Sequence, residues 1–135
     1  LTITGLTLHT SPGEIARAAL EAVVFQVSRV YDQLTCALLP AVPPRLIASG
    51  AVLCTSGLVR QMLADTLNRP LELLASSEAS ARGAALLALE TLGIIPDLTR
   101  LVPAIATTVW PDSARHAIYC QARTHQQALY DLLFA

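Results

Sequence analysis

No lysine occurs among the 135 residues; all nine basic side chains are arginines. That removes two chemistries at once. A P-loop needs a lysine to reach the phosphates of its nucleotide, and Schiff-base catalysis needs a lysine amine as nucleophile. Charge of either sign is scarce, at 14% of residues and a formal net charge of −1, where a globular domain typically carries about 25%. There is no basic stripe to track a phosphate backbone, and Trp110 and Tyr119 stand scattered instead of forming a stacking platform. Nucleic acid is therefore not an expected partner. No apolar run reaches the roughly 18–20 residues of a membrane span, and no signal-peptide pattern opens the chain. A cytoplasmic protein without a membrane partner is expected. Cys36, Cys54 and Cys120 are few, odd in number and far apart, which reads as buried free thiols in a reducing compartment. His9, His116 and His125 are read as lacking a cysteine or carboxylate at ligand spacing, so no metal site is expected. Neither Ser49-Gly50 nor Ser56-Gly57 lies in a G-x-S-x-G elbow.

What the sequence has in excess is apolar surface. With 53% hydrophobic residues, too little charge remains to cover a free-standing monomer, and a face that meets another domain or subunit is expected. The length suits one domain. The chain opens at Leu1 with an alternating Thr/Leu/Ile run through Leu8, the pattern of a strand inside a fold, and the expectation is a piece of a larger protein. Ser11-Pro12-Gly13-Glu14 marks a helix start, with Ser11 as cap, Pro12 at the first helical position and Glu14 three residues on. Leu20, Val23, Val24, Val27, Val30, Tyr31 and Leu34 recur at helical spacing and predict the buried stripe, with Glu14, Arg17, Glu21, Ser28 and Asp32 opposite. Pro40, Pro43 and Pro44 stop that helix.

Further on, Arg45–Ser49 predicts a buried strand ending at Gly50, and a second helix runs from about Thr55 or Ser56 to Leu67. Leu71–Leu74 predicts another strand. Glu78–Leu92 predicts a helix so apolar that it should be buried on most sides, capped by Gly93. The stretch from Ile94 to Asp112 predicts loop with a short strand or turn. Ser113–Phe134 predicts a last helix with an inward stripe of Ile118, Ala122, His125, Leu129, Leu132 and Leu133. Strands alternating with helices make this an α/β layer with some parallel pairing.

Two segments could carry function. Gly50-Ala51 sits just beyond a predicted strand, where small residues let a flat group approach the backbone and open α/β sheets take their ligands. It is a candidate shelf for adenine or ribose, or a strand-to-helix turn whose backbone angles need glycine. Asp65, one turn after Gln61, could be a base, or a solvated or capping carboxylate. Glu78 to Ala85, rich in Ala and Gly around Gly83, reads as close packing, with Glu78 in the first helical turn.

Three segments in order resemble the C-terminal domain of the FGGY carbohydrate kinases. They are Gly5-Leu6-Thr7-Leu8-His9-Thr10 running into Arg17–Phe25; Ala48-Ser49-Gly50-Ala51 with Ser56, Gln61, Ala64-Asp65 and Pro70; and Glu78-Ala79-Ser80 with Gly83-Ala84-Ala85. The Gly50–Ser56 loop is most similar to the gluconokinase branch. The resemblance implies the second lobe of an actin-like, ribonuclease-H-like ATPase, with residues 1–135 as one domain and the sugar-binding lobe lying upstream. It implies ATP contacts from Gly50, Ala51 and Ser56, and a site held in shape by Gln61, Asp65, Glu78 and Gly83. Mg²⁺ would bind mainly through the absent lobe and the phosphates, and the catalytic base would lie outside this chain. It implies an alcohol acceptor on a sugar or sugar acid, gluconate-like, bound by the other lobe. The family's second glycine is here Ala51. The chain alone is expected to be inactive and to self-associate through its uncovered face. The rival reading is a non-catalytic actin-like dimerisation module that has lost nucleotide binding.

Overall fold

A capping box starts the longest element. Ser11 Oγ accepts from the Glu14 backbone N–H (3.3 Å), while a Glu14 carboxylate oxygen accepts from the Ser11 backbone N–H and hydroxyl (both 2.8 Å). The backbone bond first, and the hydroxyl second, hold the Glu14 carboxyl below its ordinary range. From there α1 runs Pro12–Leu38. The computed structural model describes residues 2–38, 44–76 and 78–134; Pro40 and Pro43, expected to end α1, lie outside the described residues.

Among the described residues, three short strands follow in one sheet of order β1-β2-β3: β1 Leu46–Ala48, β2 Leu71–Leu74 and β3 Ile105–Val109. β1 and β2 are parallel, with Leu46 opposite Leu71 and Ala48 opposite Leu73. β3 returns antiparallel to β2, with Leu71 opposite Val109 and an irregularity between Leu73 and Leu74. The helices are α2 Ala51–Thr55, α3 Gly57–Leu67, α4 Ala79–Thr91 and α5 Ser113–Phe134, with a 3₁₀ turn at Leu98–Arg100. Two ends are written in the sequence. Asn68 takes the left-handed conformation (φ 51°) after α3. Gly93 (φ 72°) closes α4 in a Schellman motif, with Gly93 N–H on Glu90 C=O and Ile94 N–H on Leu89 C=O.

The core gathers between α1, α3, α5 and the sheet. Val24, Phe25, Ala48, Val59, Met62, Leu63, Ala64, Leu71, Leu73 and Tyr119 are its buried residues. Phe25 and Tyr119 meet edge to face at 6.0 Å, a favoured aromatic geometry. Helix α3 is the central element, buried continuously from Met62 to Thr66.

Several sequence expectations are corrected here. The opening strand does not form: residues 2–7 are irregular and exposed, and Gly5 (φ 76°) breaks the extended run before a turn closed by Thr10 N–H on Thr7 C=O (3.1 Å). No neighbouring strand among the described residues supplies the hydrogen bonds a strand requires. In α1 the inward face is Val24, Phe25 and Ser28, while Leu20, Val23, Val27, Val30 and Leu34 point outward. Ser28 tolerates burial because its hydroxyl donates to Phe25 C=O (2.9 Å). Helix α4 buries no residue, and Leu87 is 58% exposed; its principal neighbour is the 3₁₀ turn. In α5, Tyr119 is the buried residue while Ile118 and Leu132 are exposed. The free thiols are not buried either, since Cys36 and Cys120 are exposed and Cys54 is half-buried.

Candidate functional site

Because β1 and β2 are parallel, their C-terminal ends share one edge of the sheet. Two connections leave from that edge: the turn at Gly50 after β1, and the lead into α4 after β2. Gly50 sits at φ 99°, ψ 156°, a region essentially reserved for glycine. A Cβ there would meet no heavy atom within 4 Å, so backbone angle and not crowding demands the glycine. Gly50 and Ala51 are both exposed. The bend is an open surface beyond a strand end.

The segment after the bend is helical, not the loop expected from the sequence. Cys54 N–H bonds Gly50 C=O (2.9 Å), Ser56 N–H bonds Val52 C=O (2.9 Å), and the Thr55 hydroxyl donates to Ala51 C=O (2.8 Å). Ser56 then caps α3, its Oγ accepting from Val59 N–H (3.3 Å). Arg60, a residue sequence reasoning passed over, donates from one guanidinium nitrogen to the carbonyls of Leu53 (3.3 Å) and Cys54 (3.0 Å). A cation at the last carbonyls of a helix offsets its negative end. Arg60 thus ties α2, and with it the Gly50–Ala51 bend, to the buried helix α3. An arginine one turn beyond a capping serine was the available signal.

Gln61 and Asp65 serve a different junction. Asp65 is 1% exposed. Its Oδ1 accepts from Gln61 Nε2 and from the Asp112 backbone N–H (2.8 Å each), and its Oδ2 from Arg115 Nε (2.6 Å). Gln61 Nε2 also donates to Trp110 C=O (3.0 Å), and the Asp65 main-chain carbonyl bonds His116 Nδ1 (2.9 Å). This is a latch between α3 and the entry to α5. Asp65 is therefore neither solvated nor a cap: it is buried, and each of its oxygens holds a donor of the latch. The cap of α5 is Asp112, whose Oδ1 accepts from Ala114 N–H (2.9 Å) and Arg115 N–H (3.1 Å); the Arg115 backbone bond is the chief reason its carboxyl lies below the ordinary range. Glu78 precedes α4 at the same sheet edge as Gly50; its carbonyl accepts from Arg82 N–H (2.9 Å), and its side chain makes no capping bond. Gly83 lies within α4, and a Cβ there would meet nothing within 4 Å, so close packing inside this chain does not explain it.

Residues 1–91 match the C-terminal domain model of the FGGY family of carbohydrate kinases. The chain belongs to the FGGY family. All seven candidate positions, from Gly50 to Gly83, fall inside the matched segment, whereas Asp112, Arg115 and α5 lie beyond it. An apulose kinase of Pectobacterium atrosepticum is 34% identical over 125 residues, covering 89% of this chain and 25% of its own length. The solved xylulose kinase of Rhodospirillum rubrum superposes with a TM-score of 0.78 at 32% identity, covering 98% of this chain and 27% of that one. The gluconate kinase of Lactobacillus acidophilus shares the fold (TM-score 0.82, 98% of this chain and 27% of that one) at 24% identity. The architecture is that of the actin-like, ribonuclease-H-like ATPases. The chain spans about a quarter of the length of the apulose kinase. Among the described residues, no three His, Cys, Asp or Glu side chains converge as metal ligands, and no helix is long and apolar enough to cross a membrane.

Proposed function

We propose that this chain is the adenosine-facing, C-terminal lobe of a cytoplasmic ATP-dependent carbohydrate kinase. One observation supports it most: an exposed, glycine-angled bend at the C-terminal edge of the parallel β1–β2 pair, where nucleotides bind in open α/β sheets. Gly50 and Ala51 would lie against adenine or ribose, with Ser56 at the next helix start lining the same side. Gln61 and Asp65 would act at a distance, by fixing α3, and Glu78 and Gly83 by shaping the neighbouring connection. The bend carries no carboxylate, so Mg²⁺ would be held by the nucleotide's phosphates and by groups outside these 135 residues.

In the reaction so proposed, a sugar or sugar-acid hydroxyl, gluconate-like, attacks the γ-phosphate. Phosphoryl transfer depends on aligning nucleophile, metal and γ-phosphate. A domain that supplies only the adenosine end does not align them, so the isolated chain is inactive and the acceptor and base belong to another lobe. The outward stripe of α1 is the face through which the isolated chain self-associates.

A second reading keeps the fold and drops the nucleotide: a non-catalytic, actin-like dimerisation module. Ala51, standing where the family pattern has a second glycine, favours it, because a methyl occupies the shelf. Titration of the ¹⁵N-labelled chain with ADP, with and without Mg²⁺, separates the two. The kinase reading expects amide shifts confined to Gly50–Ser56 and its surroundings, at millimolar nucleotide and insensitive to Mg²⁺. No shift there at 10 mM would leave only the second reading.

A further inference from the structure

We propose that α1 pairs antiparallel with α1 of a second copy of this chain, about a two-fold axis, through a heptad seam on its outward face. The inference rests on the reading above that the isolated chain self-associates through that stripe. It adds the partner element, the direction and the register.

Leu20, Val23, Val27, Val30 and Leu34 follow one another at intervals of three, four, three and four residues, the a and d spacing of a coiled-coil seam. They are 37–63% exposed, and the same register continues through exposed Ala16 and Ala37. At 3.6 residues per turn the seam lies roughly 140° round the helix from Val24, Phe25 and Ser28, which face the core.

Charge on α1 is distributed the wrong way for a helix that faces water. Glu14, Arg17, Glu21, Arg29 and Asp32 are all its charged residues, and none lies within roughly 90° of the centre of the seam. Arg17 pairs with Glu21, Asp32 with Arg123, and Arg29 stacks over the Tyr130 ring. A surface helix ordinarily turns its charges away from the core; this one keeps them beside it and leaves the outer half neutral. Such a face has nothing with which to select a charged partner. What interlocks with it is another helix of the same repeat, and α1 of a second copy supplies one.

The area suffices. With Leu38, also exposed, the seam offers roughly 600 Å² of apolar surface per copy, so a pair buries roughly 1,200 Å², the lower bound for a specific, stable interface. Direction follows from residue type. Parallel two-stranded coils favour a β-branched residue at a and leucine at d, whereas here Leu20 and Leu34 are at a, and Val23 and Val30 at d. Antiparallel pairing sets Val27 opposite Val30 of the second copy, Val23 opposite its Leu34 and Leu20 opposite its Ala37, so that leucines meet smaller side chains. It also lays the two helix dipoles head to tail.

Sedimentation equilibrium of the chain should show a monomer–dimer equilibrium in the micromolar range. Val27→Glu with Val30→Glu should weaken it at least a hundredfold. Val27→Glu with Val30→Arg should weaken it at least tenfold less than that, because antiparallel pairing brings each new carboxylate against the other copy's new guanidinium. In a Cys36→Ser background, a mixture of Val23→Cys and Leu34→Cys chains should form an interchain disulfide between the substituted positions on mild oxidation, and Val23→Cys chains alone should not. A monomer at every concentration would remove the self-association reading and this pairing with it. A dimer undiminished by the two glutamates would move the contact off the seam. Equal weakening by both double variants, or cross-linking of Val23→Cys chains to one another, would overturn the antiparallel pairing and leave the self-association reading in place.

Discussion

Replacing Asp65 with alanine should lower the stability of this domain by about 2–4 kcal/mol, and the figure can be assembled from its three donors. The Arg115 guanidinium lies 2.6 Å away, yet its side chain is 48% exposed, so it rehydrates when the carboxylate goes and its share is discounted to about 1 kcal/mol. The Asp112 backbone N–H is part-buried; stranding it costs about 1–3 kcal/mol. Gln61 loses little, because its amide still donates to Trp110 C=O. The sum falls about 1 kcal/mol short of the roughly 3–5 kcal/mol of breaking a fully buried ion pair, as a half-exposed partner requires. Against a total stability on the order of 5–15 kcal/mol this is a large fraction.

Urea titrations of the wild-type chain, Asp65→Ala, Arg115→Ala and the double variant, followed by far-ultraviolet circular dichroism, measure it. A lower midpoint at unchanged slope is expected for Asp65→Ala. The double variant should be less unstable than the sum of the singles by about 1 kcal/mol or more, since both remove one contact. Asp65→Asn should fall between wild type and alanine: it keeps an acceptor for Gln61 and Asp112 but presents an amide to Arg115. A loss under about 0.5 kcal/mol for Asp65→Ala, or strict additivity in the cycle, would refute the latch.

Two glycines should respond in opposite directions in the same assay. Gly50→Ala should cost about 1–3 kcal/mol through its left-handed φ alone, given the open space around it, whereas Gly83→Ala, inside α4 with equal room, should gain about 0.5–1 kcal/mol. A stabilised Gly50→Ala would mean the bend is not held at that angle. Val27→Glu with Val30→Glu, on the outward stripe of α1, should weaken self-association at least a hundredfold in sedimentation equilibrium, because two fully buried valines together stabilise an interface by about 3 kcal/mol or more. An undiminished dimer would place the contact elsewhere.

Helix ends were readable in the sequence because caps are local. The Ser11–Glu14 box, Asn68 and Gly93 each act within five residues. Which side of α1 faces in was only partly readable. Helix α1 carries apolar residues on two faces, and periodicity placed Leu20, Val23 and Val27 inward along with Val24, whereas the core meets Val24, Phe25 and Ser28. Ser28 looked polar until its own turn supplied an acceptor. The Asp65 latch was out of reach for another reason: its partners Asp112 and Arg115 lie 47 and 50 residues downstream.

The middle motif of the family resemblance then acquires a physical reading that owes little to chemistry. Ser56, Gln61 and Asp65 all belong to α3 or its cap, a rod of 11 residues and so roughly 16 Å long. At its first end, Ser56 and Arg60 fasten α2 and the Gly50 bend. From its middle onward, Gln61 and Asp65, one turn apart on the same face, grip Trp110, Asp112 and Arg115. Over that same stretch, Met62 to Thr66 are buried without a break, so the rod cannot tilt without opening the core. An exposed bend made of small residues has no side chains with which to fix its own position. It is tied to α3 through Ser56 and Arg60, while Gln61 and Asp65 tie the same helix to the entry of α5.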